Sequence, residues 1–560
     1  MNGPPGAPRP RRRWLIEAAA LLLFVFTVFY RLNTLGGALG GFDNDHFVPF
    51  AFAKQVEAGE QPLRDFVGSG LQGAWPSLTF EASAWAQRVM GDSLRSEALL
   101  SVGGLALAAV VTFRAAALVA PWPLAFGVTA LSILIEPKLY SYPKVVVLAL
   151  AAWLCARYGR SHSRALASGL GVLTAVAFLF RHDLAVYVAA GALTAIAVGS
   201  AGRGWRRGLL HAAAYAAVTA ICLLPSAWFV SRHAGLQAYL DDSVFAVRQE
   251  SRRTSRIERG VVFTGENGRA LAPHAFLDEP QNAGWWLFYA TAALPMVVLA
   301  GSALRATDRA ALWPALAPSA VMALLVVPSF LRGNTAARIS DLAPLMAVLW
   351  AGVLVLPFRV TRWRTWSAGL ALLAVMAFSA TVQAVWTVGN VRSELDTSGW
   401  SDSVGKLARQ AARRWDELGA LPAAYWSGDA ASASMRAVQY LHACTAPDDR
   451  IIVLSYQPEL LPLADRRFGG GGYGMVPGLL ILYRNQATMI AQWRREPVPI
   501  VLMQTGPEDE TEVPFILEYL RARYRDAGPI DLNGGPVRVF VDTGRTQVRT
   551  YGTANLPCFR

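Results

Sequence analysis

Charge is what this chain of 560 residues has least of: only 16% of them are Asp, Glu, Lys or Arg, where a soluble enzyme carries about a quarter. With 54% hydrophobic residues and a mean hydropathy of +0.32, the composition excludes a soluble enzyme and indicates an integral membrane protein. Several chemical signatures are missing too. No HExxH, CxxC, GxSxG or Walker sequence occurs, so zinc-peptidase, dithiol, serine-hydrolase and P-loop readings have no support. The run Gly469 to Gly472 lacks the Lys-Ser/Thr ending of a phosphate cradle and reads as a flexible loop. No small-residue cleavage site follows the first apolar run, Trp14 to Tyr30, so it reads as a retained helix. Cysteines number four. Cys155 and Cys222 fall in apolar runs, where a small buried hydrophobe is the ordinary role. Cys444 and Cys558 fall together in the C-terminal tail, and an exported pair of this kind can form a disulfide.

What the chain has in abundance is apolar stretches of roughly spanning length. They lie at about Trp14 to Tyr30, Ser96 to Leu118, Pro121 to Leu139, Tyr142 to Cys155, Arg164 to Phe180, Leu184 to Ser200, Leu209 to Val230, Trp285 to Leu304, Ala310 to Leu331, Leu342 to Phe358 and Trp366 to Val388. The predicted fold class is therefore a polytopic α-helical membrane protein of about eleven spans. If Arg11 to Arg13 are cytoplasmic, alternation puts Arg114, Arg157, Arg160, Arg164, Arg203, Arg206, Arg207, Arg305, Arg309, Arg359, Arg362 and Arg364 inside as well, with Asp308 the only acid in those loops. This positive-inside pattern assigns residues 33–95, 231–284 and everything after Gly389 to the outer side. Three domains follow: a cytoplasmic start over 1–13, a membrane domain over 14–389 and an extracytoplasmic domain over 390–560. The net charge of +13 is mostly this bias plus contact with anionic headgroups. The arginines are spread along helix ends and not interleaved with aromatics on one face, so no nucleic-acid partner is expected.

Directly after the first apolar run comes Gly41-Phe42-Asp43-Asn44-Asp45-His46. Two carboxylates and an imidazole where a membrane helix ends are expensive and usually kept for a purpose. In a turn both carboxylates can face one pocket; the alternative is that Asp43 or Asp45 caps a helix running from His46 to Ala58. Hard oxygen ligands also suit magnesium or manganese, so Asp43, Asp45 and His46 could hold a divalent ion. Beyond Gly59 come Pro62, Arg64, Asp65 and Phe66, a Gly-rich break over 68–73, and an amphipathic stretch from Trp75 to Met90. Helices too polar to span would lie along the membrane surface, so the loop reads as a folded platform. Farther on, the outer ends of the spans carry Glu136-Pro137-Lys138-Leu139-Tyr140-Ser141-Tyr142-Pro143-Lys144, then Phe180-Arg181-His182-Asp183, then Arg332 with Arg338 and Asp341, and a basic run from Arg248 to Arg259. Snorkelling, an internal Arg to Asp pair and a solvated loop are the plain structural readings of these clusters. Their sign is informative all the same, because Lys138, Lys144, Arg181, Arg332 and Arg338 sit outside against the bias. A lipid-linked phosphate presented on that side would need such cations.

The order of parts resembles the membrane glycosyltransferases of the C superfamily, and more narrowly the bacterial relatives of protein O-mannosyltransferases and lipid A aminoarabinose transferases (family 39-like). The resemblance rests on the carboxylate motif after the first span, Gly59, Pro62, Arg64, Asp65 and Phe66, the exit Gly91, Ser93 and Leu94, and Arg338 and Asp341 near the last spans. It implies an inverting enzyme of the bacterial inner membrane that moves a sugar from a polyprenyl-phosphate carrier to a glycan, lipid or protein acceptor outside. Many relatives have Asp-Glu where this chain has Asp45-His46. Asp45 is the first choice of general base and Asp43 the second. Asp65 would orient the acceptor or the loop. Lys138, Arg181, Arg332 and Arg338 would neutralise phosphate, with Tyr140, Tyr142, Asp183 and Asp341 lining the same site.

After Val388 hydropathy falls. Helices are predicted over Ser401 to Leu418, Ala430 to Cys444 and Phe515 to Arg525, and strands over Arg450 to Ser455, Pro499 to Met503 and Pro536 to Val541, which together suggest a small α/β layer domain. Two other functions fit the composition. A lipid or sugar transporter would use intramembrane charges and broken helices, although most polar groups here cluster at one face and no repeat relates the halves. A non-catalytic envelope assembly protein would use the tail for docking.

Overall fold

The computed structural model describes residues 10–35, 41–42, 44–66, 78–133, 139–201, 204–256, 313–326, 336–359, 403–427, 433–472, 483–504, 511, 513–532, 535–552 and 555–560. The chain divides into two compact units, one of Met1–Thr34, Ser101–Leu224 and Ile257–Ala411, the other of Leu35–Leu100, Pro225–Arg256 and Ala412–Arg560.

The first unit is helical. It contains α1 (Pro10–Thr34), much of α4 (Leu94–Val119), α5 (Trp122–Ile133), α6 (Tyr142–Ser161), α7 (Arg164–Phe180), α8 (His182–Ser200), most of α9 (Trp205–His233), α11 (Trp313–Val326) and α12 (Ala336–Arg359). Among the described residues, five helical stretches are long and apolar enough to cross a membrane: Arg13–Thr34, Leu94–Val119, Leu139–Ser161, His182–Ser200 and Trp205–His233. Four shorter apolar helices accompany them, at Trp122–Ile133, Arg164–Phe180, Pro314–Val326 and Asp341–Val355. The expected spans at Trp285 to Leu304 and Trp366 to Val388 lie outside the described residues. Polar side chains are few, so the helices meet through small residues and close packing. A Cβ on Gly191 would strike Met322, and one on Gly352 would strike Leu316. Apolar side chains that remain uncovered, such as Leu21 and Leu22 on α1 and Leu209, Ile221 and Leu224 on α9, form the surface that lipid takes up and water would penalise. This is a polytopic helical membrane fold.

The second unit joins the loop after α1 to the tail. From the loop come α2 (Asn44–Glu57) and α3 (Leu78–Met90); α10 (Leu236–Arg256) stands where the sequence suggested a basic loop. From the tail come the second half of α13 (Val404–Ala420), α14 (Ala423–Ser427), α15 (Ala433–Cys444), α16 (Leu460–Leu463), α17 (Tyr483–Arg495) and α18 (Pro514–Arg523). They surround strands β1 (Arg450–Leu454), β2 (Arg467–Phe468), β3 (Ile500–Gln504), β4 (Tyr524–Leu532) and β5 (Gly535–Asp542). The sheet runs β2-β1-β3-β5-β4, with β2, β1 and β3 parallel and β5 antiparallel to both its neighbours. A hairpin of β6 (Arg549–Tyr551) and β7 (Leu556–Cys558) closes the tail, where a disulfide joins Cys444 to Cys558.

One face of the sheet buries Ile452, Leu454, Val501, Met503 and Phe540 against Trp493 of α17 and Ile516 and Leu520 of α18. Here the glycine run departs from the flexible loop expected of it. Gly469 to Gly472 are all buried. Gly470 takes a φ of +66°, and a Cβ there would overlap the Trp493 indole, so only glycine fits.

The loop after α1 and the tail share one aromatic cluster: Phe52 of α2 packs on Phe66, Phe80 and Phe468 with ring centroids 5.3, 4.2 and 5.0 Å away. Polar ties surround it. Gln55 Nε2 donates to the Phe468 carbonyl at 2.7 Å, Glu60 accepts from both Arg450 and Arg467, and the Lys54 ammonium lies 2.5 Å from Asp92 and 2.8 Å from Asp465. Burial opposes the charge on Lys54, yet the two carboxylates outweigh it and hold the ammonium above its ordinary value.

Candidate active site

The second unit carries the carboxylate motif. Gly41 turns the chain with a φ of +82° and Phe42 is buried. Asp43 lies outside the described residues. The helix α2 starts at Asn44, earlier than the sequence suggested, so Asp45 occupies its first turn and not an irregular segment. The helix dipole explains the extension, since an acid in the first turn faces the unpaired N–H groups. Asp45 is half-buried, and its Oδ1 accepts a hydrogen bond from the Tyr456 phenol, two residues beyond β1.

His46, next along α2, turns away into the core and is 2% exposed. Its Nε2 meets Glu97 Oε2 of α4 at 3.0 Å, and the other Glu97 oxygen accepts from Ser83 of α3. Nδ1 is buried with no partner among the described residues. For the divalent-ion reading of Asp43, Asp45 and His46, Asp43 lies outside the described residues, Nε2 of His46 is engaged by Glu97, and Asp45 and His46, as consecutive helical residues, diverge by about 100°. Among the described residues no group of three or more His, Cys, Asp or Glu could hold a metal ion.

Asp65 closes a local turn. Its Oδ2 accepts from the Gln61 N–H at 2.8 Å and from Arg64 Nε at 2.8 Å, and the Arg64 hydrogen bond in particular holds its carboxyl below the usual range. Farther along the tail, Glu459 is 6% exposed with Oε2 unpartnered among the described residues. Burial pushes its carboxyl up to about 7.

The first unit gathers a separate set. Lys144, in the first turn of α6, lies 2.9 Å from Asp341 of α12 and 3.4 Å from the Ser141 hydroxyl. Arg181, between α7 and α8, forms a two-pronged pair with Asp183 at 3.0 and 2.8 Å. Asp183 also accepts the Leu184 N–H at 2.9 Å. The pairs are close enough for Arg181 to feel Asp341 and for Asp183 to feel Lys144. Asp341 Oδ1 is buried and unpartnered among the described residues. Tyr140 stands in a short 3-10 turn before α6, and the Tyr142 ring lies over Gly104 of α4. Lys138 and Arg332 lie outside the described residues. Arg338 falls on the first turn of α12, with its side chain outside them.

Two cations thus meet two carboxylates, so these four residues carry no net charge to offer a phosphate. The sequence separated Lys144 from Asp341 into different clusters, and it missed Tyr456, Glu97 and Ser83 altogether. Glu97 alone had a signal, as an acid at the start of an apolar span.

No protein-family model matches the sequence, and no curated protein matches it. Solved structures do. The archaeal oligosaccharyltransferase AglB of Archaeoglobus fulgidus, in complex with an inhibitory peptide and a dolichol-phosphate, aligns over 96% of this chain and 76% of its own at 11% identity and a TM-score of 0.50. ArnT of Cupriavidus metallidurans, bound to undecaprenyl phosphate, aligns over 94% of this chain and 97% of its own at 16% identity and a TM-score of 0.48. At such identities the likeness is one of fold, and in fold the chain is similar, over nearly its whole length, to membrane glycosyltransferases of the C superfamily.

Proposed function

We propose that the protein is an inverting glycosyltransferase that takes a sugar from a polyprenyl-phosphate carrier on the outer side of a bacterial inner membrane. The observation that carries this reading is the place of Asp45: a half-buried carboxylate just after the first membrane helix, in a fold like that of an oligosaccharyltransferase solved with dolichol-phosphate. In the proposed step Asp45 Oδ2 takes the proton of an acceptor hydroxyl while that oxygen bonds to the anomeric carbon. The bond from anomeric carbon to phosphate oxygen breaks, and its electron pair leaves with the lipid phosphate. Asp43 is the second choice of base, and Asp65 shapes the loop. On the phosphate side, Lys144 and Arg181 are balanced by Asp341 and Asp183, so the net positive charge for the leaving group comes from Lys138, Arg332 and Arg338. Tyr140 and Tyr142, close in sequence to Lys138, are further candidates for that role.

Parity supports placing the three stretches on one side of the membrane. Each of the three stretches that the charge bias assigns to the outer side overlaps one of the three segments of the second unit, the middle one only over 231–256. Segments sharing one compact unit must lie on one side of the membrane, so an even number of spans must separate them. The eleven expected spans meet this condition, with six between the first and second stretches and four between the second and third. The disulfide within the tail fits an oxidising compartment as well.

The test supplies the full-length protein, in membranes with native lipid extract as acceptor, with undecaprenyl phosphate carrying a radiolabelled pentose or hexose, and measures release of undecaprenyl phosphate. Asp45→Asn keeps the size of the side chain and should lower the rate by about 10² to 10⁴. Release at the parent rate in both Asp45→Asn and Asp43→Asn would overturn the assignment.

A further inference from the structure

From the hydrogen bond between Tyr456 and Asp45 we infer that Tyr456 is the positioning residue of the proposed base: its phenol occupies Oδ1 and thereby presents Oδ2 to the acceptor. The inference rests on the reading of Asp45 as the base and adds a residue that no sequence motif marks.

Both ends of this contact are well anchored. Asp45 is fixed by the first turn of α2, whose next residue is locked to Glu97. Tyr456 follows a strand in which Ile451, Ile452, Val453 and Leu454 are all at most 1% exposed, and β1 is paired on both sides, with β2 and β3. Position 456 therefore stands at the carboxyl end of parallel strands, where α/β sheets present their ligand-binding groups. Among the described residues nothing donates to Oδ2, so the two oxygens of one carboxylate differ in environment.

A carboxylate on an exposed helix turn samples several rotamers. A phenol held by a buried strand selects one of them before any substrate arrives, which is the preorganisation that a proton transfer over hydrogen-bond distance requires. Tyr456 keeps its own proton throughout. It donates to the ionised carboxylate and, more weakly, to the carboxylic acid formed once Oδ2 has taken the acceptor's proton. The other titratable groups nearby in the chain are Asp43, His46, engaged by Glu97, and Glu459.

Tyr456→Phe removes the hydroxyl and keeps the ring. In the undecaprenyl phosphate release assay we expect kcat to fall about 10- to 100-fold, the worth of one hydrogen bond to a charged group, with KM for the carrier-linked sugar and the thermal midpoint held. A second measurement needs no turnover. With 3-fluorotyrosine at position 456 of the full-length protein, the fluorine resonance should move when Asp45→Asn removes the charge. A parent-like kcat in Tyr456→Phe, or a resonance unmoved by Asp45→Asn, would overturn the inference. If Asp45→Asn is inactive and Tyr456→Phe is not, only this inference falls. If Asp45→Asn transfers at the parent rate while the resonance still moves, the catalytic reading falls and the contact stands.

Discussion

Lys144 and Asp341 are 197 positions apart in sequence and 2.9 Å apart in the structure, with side chains 10% and 5% exposed. A buried pair of this kind contributes little over an apolar pair of equal volume, yet losing one partner strands a charge at a cost of about 3–5 kcal/mol. Lys144→Met or Asp341→Leu alone should therefore lower the thermal midpoint of the detergent-solubilised protein sharply, and the double variant should recover most of the loss. If the double variant is as unstable as the sum of the singles, the two residues are not partners.

Glu459 makes the second unit sensitive to acidity near neutral pH. Its carboxyl is raised from an ordinary value of 4.5 to about 7, so the folded chain keeps a proton that the unfolded chain gives up. The contribution is complete below about 4.5 and is lost as pH rises to about 7, at roughly 1.4 kcal/mol per pH unit at most. Thermal unfolding of the full chain between pH 5 and pH 8 should show stability declining as pH rises. In Glu459→Gln that part of the decline should vanish; an identical profile in the variant would remove Glu459 as its source.

The disulfide between Cys444 and Cys558 closes a loop of 114 positions. Closure of this length stabilises by about 2–5 kcal/mol, so Cys558→Ser should lose a comparable amount. In intact cells a membrane-impermeant maleimide should label neither cysteine until an impermeant reductant is added. Labelling without reductant would show that the pair is not bridged, and no labelling after it would argue that the tail is not outside.

Some of this was legible in the sequence. The strands β1, β3 and β5 stood out because each is a short apolar run buried along most of its length, bounded by polar residues. By contrast β4, an edge strand with a bulge between Asp526 and Pro529 and an exposed middle, has no such pattern, and its first residues read as the end of the preceding helix. The platform of α2 and α3 was visible from its amphipathic spacing. Its partner was not, because periodicity shows which face is apolar and never what covers it. The same limit hid the site's wiring: 51 positions separate His46 from Glu97 and 411 separate Asp45 from Tyr456. His46 looked like a ligand beside two carboxylates, and nothing near it in sequence pointed to the glutamate on another helix that meets its Nε2.

The aromatic cluster that joins the loop after α1 to the tail also sets an order of events during synthesis. Gln55 and Phe468, which meet at its edge, are 413 positions apart. A ribosome adding about 5–20 residues per second needs roughly 20 to 80 s to make the second after the first. For that interval Phe52, Phe66 and Phe80 have one another but not Phe468, and β1 and β2 do not yet exist. The platform must wait half-covered, so a stalled or truncated chain would expose an aromatic surface prone to aggregation.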